Sequence, residues 1–397
     1  MSLEYLKYKR IFVIVTDSMG IGDAVDAKDY NDEGANTFKN IAQNSPIFDV
    51  FTLQKLGIGN ICKNDKIPPI LPPMGVVARM HEVSVGKDTL TGHFEIMGLK
   101  VTSPYPSFTD TGFPEELIKM LEDFSGRKVI GNISASGTEI IKDLGEEQLK
   151  TGALIVYTSA DSVLQIAANE EIIPLEELYR ICEYARKITL ENKAWQVGRI
   201  IARPFIGKTK EAFKRTTNRH DYALDPFDKT TLDYLKEASF DVIAIGKIND
   251  IFNGKGITKA YKSVSNHDGM IQTTKMLKEE FTGICFTNLV DFDALYGHRR
   301  DVNGYKLAIE EFDKDLKNFM DQMNDDDLVI VVADHGNDPT HHGSDHTREL
   351  VPFIAYSNTL SGKVLDDLES FACVGATIAE NFKIKKPLIG KSVLKEL

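Results

Sequence analysis

Aliphatic runs of strand length recur along this chain, and several of them stop abruptly at a charged residue. Residues 11–16 (IFVIVT) deliver Asp17, 241–246 (DVIAIG) deliver Lys247, 284–290 (ICFTNLV) deliver Asp291-Phe292-Asp293, and 328–333 deliver Asp334-His335. Continuous rather than alternating apolar runs mark parallel strands buried on both faces. Ligands in open α/β sheets sit outside the carboxyl ends of strands, so Asp17, Lys247, Asp293 and Asp334 are expected to share one rim. Between the last two runs, Ile309, Phe312, Leu316, Phe319 and Met320 form one helical stripe, predicted to pack on the sheet. Residues 76–85 alternate like a strand, after a loop marked by Pro68, Pro69, Pro72 and Pro73.

From about 101 the pattern changes. Pro114 opens a helix with Leu117, Ile118, Leu121 and Phe124 on one face and Gly126 at its end. A strand at 154–157 leads into TSADS, a helix spans 174–188, and 197–205 (VGRIIARPF) alternates. Arg199 and Arg203 inside that strand call for an anionic partner. The basic stretch 208–221 reads as a loop returning to the first domain. With no internal repeat, low-complexity tract or long linker, the predicted fold is α/β: a discontinuous core of 1–100 and 222–397 carrying an insertion, 101–221.

At 397 residues with 42% hydrophobic content, two domains are expected. The net charge of -12 argues against a nucleic-acid partner, although bound cations can still make a locally positive site for phosphate. Cys62, Cys182, Cys285 and Cys373 lack CxxC spacing and read as reduced thiols. The first apolar run, 11–15, is too brief for a signal segment or a bilayer span, so a cytoplasmic protein with no membrane partner is expected.

The candidate chemistry gathers at VVADHGNDPTHHGSDH, 331–346. With His298, it holds five of the nine histidines, beside Asp334, Asp338 and Asp345. Capping by Asp334 and solvated histidines would explain one or two of these, not all. Asp17, Asp293, His298, Asp334, His335 and His346 together supply three carboxylates and three imidazoles, suited to two divalent ions, with manganese, magnesium and zinc all chemically reasonable. Thr89, in GKDTLTGH (86–93), falls where a helix should begin, as either an N-cap or a nucleophile in an anion pocket.

These pieces resemble a known family. Asp17, GKDTLTGHFEIMG (86–98), DFDALYGHRRD (291–301) and ADHGNDPTHHGSDHTRE (333–349) are similar to the alkaline phosphatase superfamily and, within it, to the phosphopentomutases. The likeness continues through TSADSVLQIA (158–167), VGRIIARPF, NRHDYAL (218–224) and IAIGKI (243–248). It implies an alkaline-phosphatase-like doubly wound core sheet with a smaller inserted α/β cap domain. It implies one ion held by Asp17, Asp334, His335 and the Thr89 oxygen, and a second held by Asp293, His298 and His346. Thr89 would be the phosphorylated residue. Ser159, Asp161, Arg199, Ile201 and Arg215 of the cap, with Lys247 of the core, would meet a pentose phosphate. Two manganese ions and a priming sugar bisphosphate are the implied cofactors, and the implied reaction interconverts (deoxy)ribose 1-phosphate and (deoxy)ribose 5-phosphate. The family usually has Trp at Phe94 and Pro at Thr217. His341, His342, Asp338 and Asp345 have no metal role in this scheme. The rival readings are a hydrolase on the same core, a phosphoglycerate mutase, and a metal-stabilised binding protein. Protein partners are not legible in the sequence.

Overall fold

The apolar runs that end in charge become neighbouring strands. The computed structural model describes residues 6–159 and 162–397. In chain order its strands are β1 (Arg10–Thr16), β2 (Val76–Met80), β3 (Val129–Ser134), β4 (Leu154–Thr158), β5 (Val163–Asn169), β6 (Arg199–Ile206), β7 (Lys214–Arg215), β8 (His220–Ala223), β9 (Asp241–Ile245), β10 (Lys259–Tyr261), β11 (Gly283–Leu289), β12 (Asp327–Val332), β13 (Val351–Tyr356) and β14 (Lys363–Val364). They fall into two units, one formed by the chain through Ser103 with Pro226–Leu397, the other by Pro104–Asp225.

In the first unit eight strands lie in the order β10-β9-β11-β1-β12-β13-β2-β14. The five from β10 to β12 are parallel, as the continuous apolar runs predict. The edge departs from a fully parallel sheet, because β13 runs antiparallel to both β12 and β2. Every residue of β1, β11 and β12 is buried. Two of those residues are charged and pair with each other. Arg10 opens β1, Asp327 opens β12, and the guanidinium makes two 2.7 Å hydrogen bonds to the carboxylate. The helix Val302–Met320 buries the predicted stripe Ile309, Phe312, Leu316, Phe319 and Met320, with the Phe319 ring 5.0 Å from that of Phe12 on β1.

The strand predicted over 76–85 stops at Met80. Beyond it the backbone is diverted: Glu95 accepts from Val83 N and Ser84 N, and Arg348 donates to the Glu82 and Ser84 carbonyls. Two buried side chains have taken the groups a ladder would use.

The second unit is a sheet ordered β3-β4-β5-β6-β7, with β8 also paired to β6. Alternate residues face two helical layers. Val156, Leu164, Ile166, Ile200 and Ala202 pack with Leu117 and Leu121 of the helix Glu115–Ser125 and with Leu178, Ile181 and Ala185 of the helix Leu175–Glu191. Ile155, Tyr157, Ala167 and Phe205 pack with Ile140 and Ile141 of the helix Gly137–Thr151. The stretch 208–221 is not only the loop expected of it, because β7 and the start of β8 fold back antiparallel on β6. Its polar side chains hid two short strands whose inner neighbours lie elsewhere in sequence. All four cysteines are free and buried. Among the described residues no helix is long and apolar enough to cross a membrane.

Candidate metal centre

The site is built from the carboxyl ends of β1, β11 and β12. The register that pairs Arg10 with Asp327 at the amino ends carries Asp17 to the level of Asp334 at the other. Asp17 Oδ2 accepts from Asn288 Nδ2 at 3.0 Å, and Asp334 Oδ1 accepts from Ser18 N at 3.1 Å. Their remaining oxygens, Asp17 Oδ1 and Asp334 Oδ2, are buried and have no hydrogen-bond partner. His335 Nε2 lies 3.5 Å from the first and 3.4 Å from the second. His93 Nδ1 comes within 3.1 Å of Asp334 Oδ2, but it also lies 2.9 Å from the Thr89 carbonyl, which takes its hydrogen bond.

Asp293 sits in a π-helical turn, Phe292–Gly297, just beyond β11. Its Oδ2 is 3.1 Å from His298 Nε2 and its Oδ1 is 3.4 Å from His346 Nε2, while Asn337 Nδ2 donates to Oδ1 at 2.7 Å. The Nδ1 atoms of His335, His298 and His346 face the carbonyls of Gly336, Ser344 and Lys87 at 3.0, 2.8 and 2.8 Å. A ring nitrogen facing a carbonyl must donate, so each neutral imidazole turns an Nε2 lone pair toward the carboxylates, the orientation of a metal ligand. His298 Nε2 and His346 Nε2 lie only 3.1 Å apart. Two lone pairs so placed repel unless positive charge lies between them.

The electrostatics agree. Burial, then the Asp334 and Asp293 charges, push the Asp17 carboxyl well above its ordinary value, against the nearby Lys247. Asp293 is buried too, yet His346 and His298 hold it well below the usual range. Burial likewise opposes ionisation of Asp334, but His335 and His93 bring it down to about 2. Burial lowers His335, favouring the neutral ligand form. Three carboxylates crowded in one dry place are costly without cations. Ligand atoms of Asp17, Asp334 and His335, and those of Asp293, His335 and His346, lie within 4.8 Å of one another in each group. Orphan carboxylate oxygens, inward lone pairs and this donor set fit two divalent ions.

Thr89 opens the helix Thr89–Ile96 but does not cap it. Asp88 does, accepting from Leu90 N and Thr91 N at 3.1 Å each and from Thr91 Oγ1 at 2.6 Å. The Thr89 hydroxyl is left facing His335 Nε2 at 3.3 Å. Gly92 permits this approach, since a Cβ there would lie 2.0 Å from the Asp334 carbonyl oxygen. The loop before Thr89 hangs on Arg348, buried and donating to Glu82, Asp26 and the carbonyls of Glu82, Ser84 and Gly86.

Asn288, Asn337, His93 and Arg348 escaped sequence reasoning. Asn288 alone left a trace, as the amide in an otherwise apolar run. Lys247 follows β9 at the N-cap of the short helix Ile248–Ile251. His341 and His342 lie against Asn31, outside both ligand groups. In the second unit Ser159 follows β4, Arg199 and Ile201 lie on β6, and Arg215 on β7 faces Phe205. Asp161 lies outside the described residues. Arg203, the other arginine of β6, donates to Gln165 Oε1 at 2.9 Å, and burial with the Arg219 and Arg215 charges lowers its guanidinium to about 10.

A family profile described as the Metalloenzyme superfamily matches residues 9–386. A phosphopentomutase from Clostridium perfringens strain 13 is 54% identical over 394 residues, covering 98% of this chain and 99% of that protein. One from Agathobacter rectalis is 55% identical, covering 98% of this chain and 100% of its own length. Among solved structures, Leishmania mexicana phosphoglycerate mutase superposes with a TM-score of 0.47 at 13% identity, over 98% of each chain.

Proposed function

The chain belongs to the phosphopentomutase family of the Metalloenzyme superfamily, an isomerase by intramolecular phosphotransfer, and we propose that it interconverts (deoxy)ribose 1-phosphate and (deoxy)ribose 5-phosphate through phosphorylated Thr89. The observation that carries this reading is the Thr89 hydroxyl, uncapped and 3.3 Å from His335 Nε2. Asp17, Asp334 and His335, with Thr89 Oγ1, would hold one manganese ion, and Asp293, His298 and His346 a second. Held there, the two ions would supply positive charge for a phosphate dianion and for the transferring phosphoryl group.

Thr89 Oγ1 is the atom that gives and receives phosphate. In the forward half-reaction its bond to phosphorus breaks as the free hydroxyl of the incoming monophosphate forms one, yielding a bisphosphate. After reorientation, the other phosphoryl group returns to Thr89. Its place in the first turn of a helix favours the phosphorylated form, because the positive end of the helix dipole lies there. A sugar bisphosphate would prime the cycle by the same transfer. Arg199, Arg215, Ile201, Ser159 and Asp161, and Lys247, are proposed to bind the sugar and its unreacting phosphate, with the guanidinium forks suited to phosphate.

Incubation with manganese and ribose 1,5-bisphosphate, followed by peptide mass spectrometry and product analysis, tests the proposal. One phosphoryl group on the Thr89 peptide and isomerised pentose phosphate are expected. Phosphate on Thr91, Ser18 or a histidine, or release of inorganic phosphate in place of isomerisation, would overturn it.

A further inference from the structure

We propose that Asp32, His341 and His342, with the carbonyl of Asn31, form an additional site for a borderline transition-metal dication of the zinc class, apart from the Asp17–His346 cluster. The Nε2 atoms of His341 and His342 converge on the single Asn31 carbonyl oxygen, at 3.3 and 2.7 Å, with the two rings 4.3 Å apart. Asn31 is left-handed, φ 58°, and its N–H is used inside the preceding turn, so its carbonyl turns outward to the pair.

The third donor is a carboxylate already fixed in place. Asp32 is 2% exposed, and its Oδ2 accepts from Lys87 Nζ at 2.9 Å and from Arg348 N at 2.8 Å. Those bonds orient its Oδ1, which lies 3.9 Å from His341 Nε2. Donor atoms of Asp32, His341 and His342 all lie within 4.8 Å of one another. Two imidazoles and one carboxylate are ligands that zinc takes, and the Asn31 carbonyl oxygen would complete its coordination number of four. His342 is exposed and His341 half-buried, so an ion reaches the site without opening the fold. Without an ion the Nε2 of each neutral ring donates to the Asn31 carbonyl; binding of an ion shifts each proton to Nδ1, which frees both Nε2 lone pairs for the metal beside the Asp32 carboxylate.

An ion here would tie the 338–345 loop to the segment at Asn31. The same Asp32 holds Lys87, whose carbonyl faces His346 Nδ1, so the site adjoins the loop that carries Thr89.

The test uses the full chain, stripped with chelator, reloaded with manganese and dialysed against zinc at low free concentration, with total metal counted per chain. Wild type should hold one more equivalent than His341→Ala/His342→Ala, while Asp334→Ala should lose manganese and keep that zinc. The double variant should match the wild-type melting temperature without zinc and lose the upward shift that zinc produces. Cobalt substitution should add a four-coordinate visible absorption band that the double variant lacks. Equal metal content in wild type and the double variant, or zinc uptake only at large excess, overturns the site. Loss of an equivalent in Asp334→Ala with none lost in the double variant overturns it as well.

Discussion

In the proposed cycle the chemistry turns on Thr89, and because Asp88 takes the capping bonds the Thr89 hydroxyl has no capping role. Thr89→Ala should therefore fold normally and keep the ion proposed at Asp293, His298 and His346, hold the one at Asp17, Asp334 and His335 more weakly, and lose turnover by about a thousandfold or more, while Thr89→Ser should keep part of the rate. Steady-state isomerisation with metal analysis of the same samples checks both. Asn288 tests the support of the ligands. Removing its amide in Asn288→Ala strips the 3.0 Å bond from Asp17 Oδ2, and metal affinity should weaken about 10- to 100-fold without loss of the fold. Equilibrium dialysis gives the answer. A third residue, Glu349, carries a pH signature. Burial pushes its carboxyl to about 7, against hydrogen bonds from Thr347 and Thr37. An unfolded Glu ionises near about 4.3. Between those values the unfolded chain binds fewer protons than the native one, so the Glu349 contribution to stability falls as pH rises from about 4.3 toward 7. Infrared spectra should show a protonated carboxyl band at pH 6 that fades through pH 7 and is missing in Glu349→Gln.

At the scale of elements, the helix Thr89–Ile96 and the end of β12 touch backbone to backbone at Gly92. An added methyl cannot fit 2.0 Å from the Asp334 carbonyl oxygen, so Gly92→Ala must push helix and strand apart. Overpacking of this kind costs about 1–3 kcal/mol. A displacement of about 1 Å at Thr89 would cost the rate roughly 100-fold. Thermal melts and kinetics together should show a modest stability loss beside a much larger loss of turnover; a native rate would mean that Thr89 need not be held so close to Asp334. The Arg10–Asp327 pair acts at the opposite end of the same strands. Arg10→Ala would leave Asp327 buried and unpaired, costing about 3–5 kcal/mol by denaturant unfolding.

For the whole molecule, the question is what the inserted segment contributes. Pro104–Asp225 has its own sheet and helices on both faces of it. Expressed alone, this segment should fold cooperatively, seen as a single thermal transition by circular dichroism. The remaining chain, closed by a short linker, should still bind metal through Asp17, Asp293, Asp334 and their histidines, yet have lost isomerisation. A remnant that isomerises pentose phosphates at the native rate would remove Arg199, Ile201 and Arg215 from the proposed substrate contacts.

The sequence by itself determined which segments are buried strands and which residues stand at their ends, because apolar runs and their interruption are local signals. It also carried the types of the candidate metal ligands, since carboxylates and imidazoles were concentrated at those ends. Only the tertiary structure decided what each of these groups touches. Asn288 reaches Asp17 across 271 residues, Arg348 draws 82–86 out of strand geometry from 266 residues away, and Asp88 rather than Thr89 takes the capping bonds. The 208–221 stretch became strand through pairing with β6, not through any pattern of its own. Periodicity records burial along the chain. Hydrogen-bond partners are chosen by which groups the packed sheet brings within about 3 Å, and that choice is made between segments far apart in sequence.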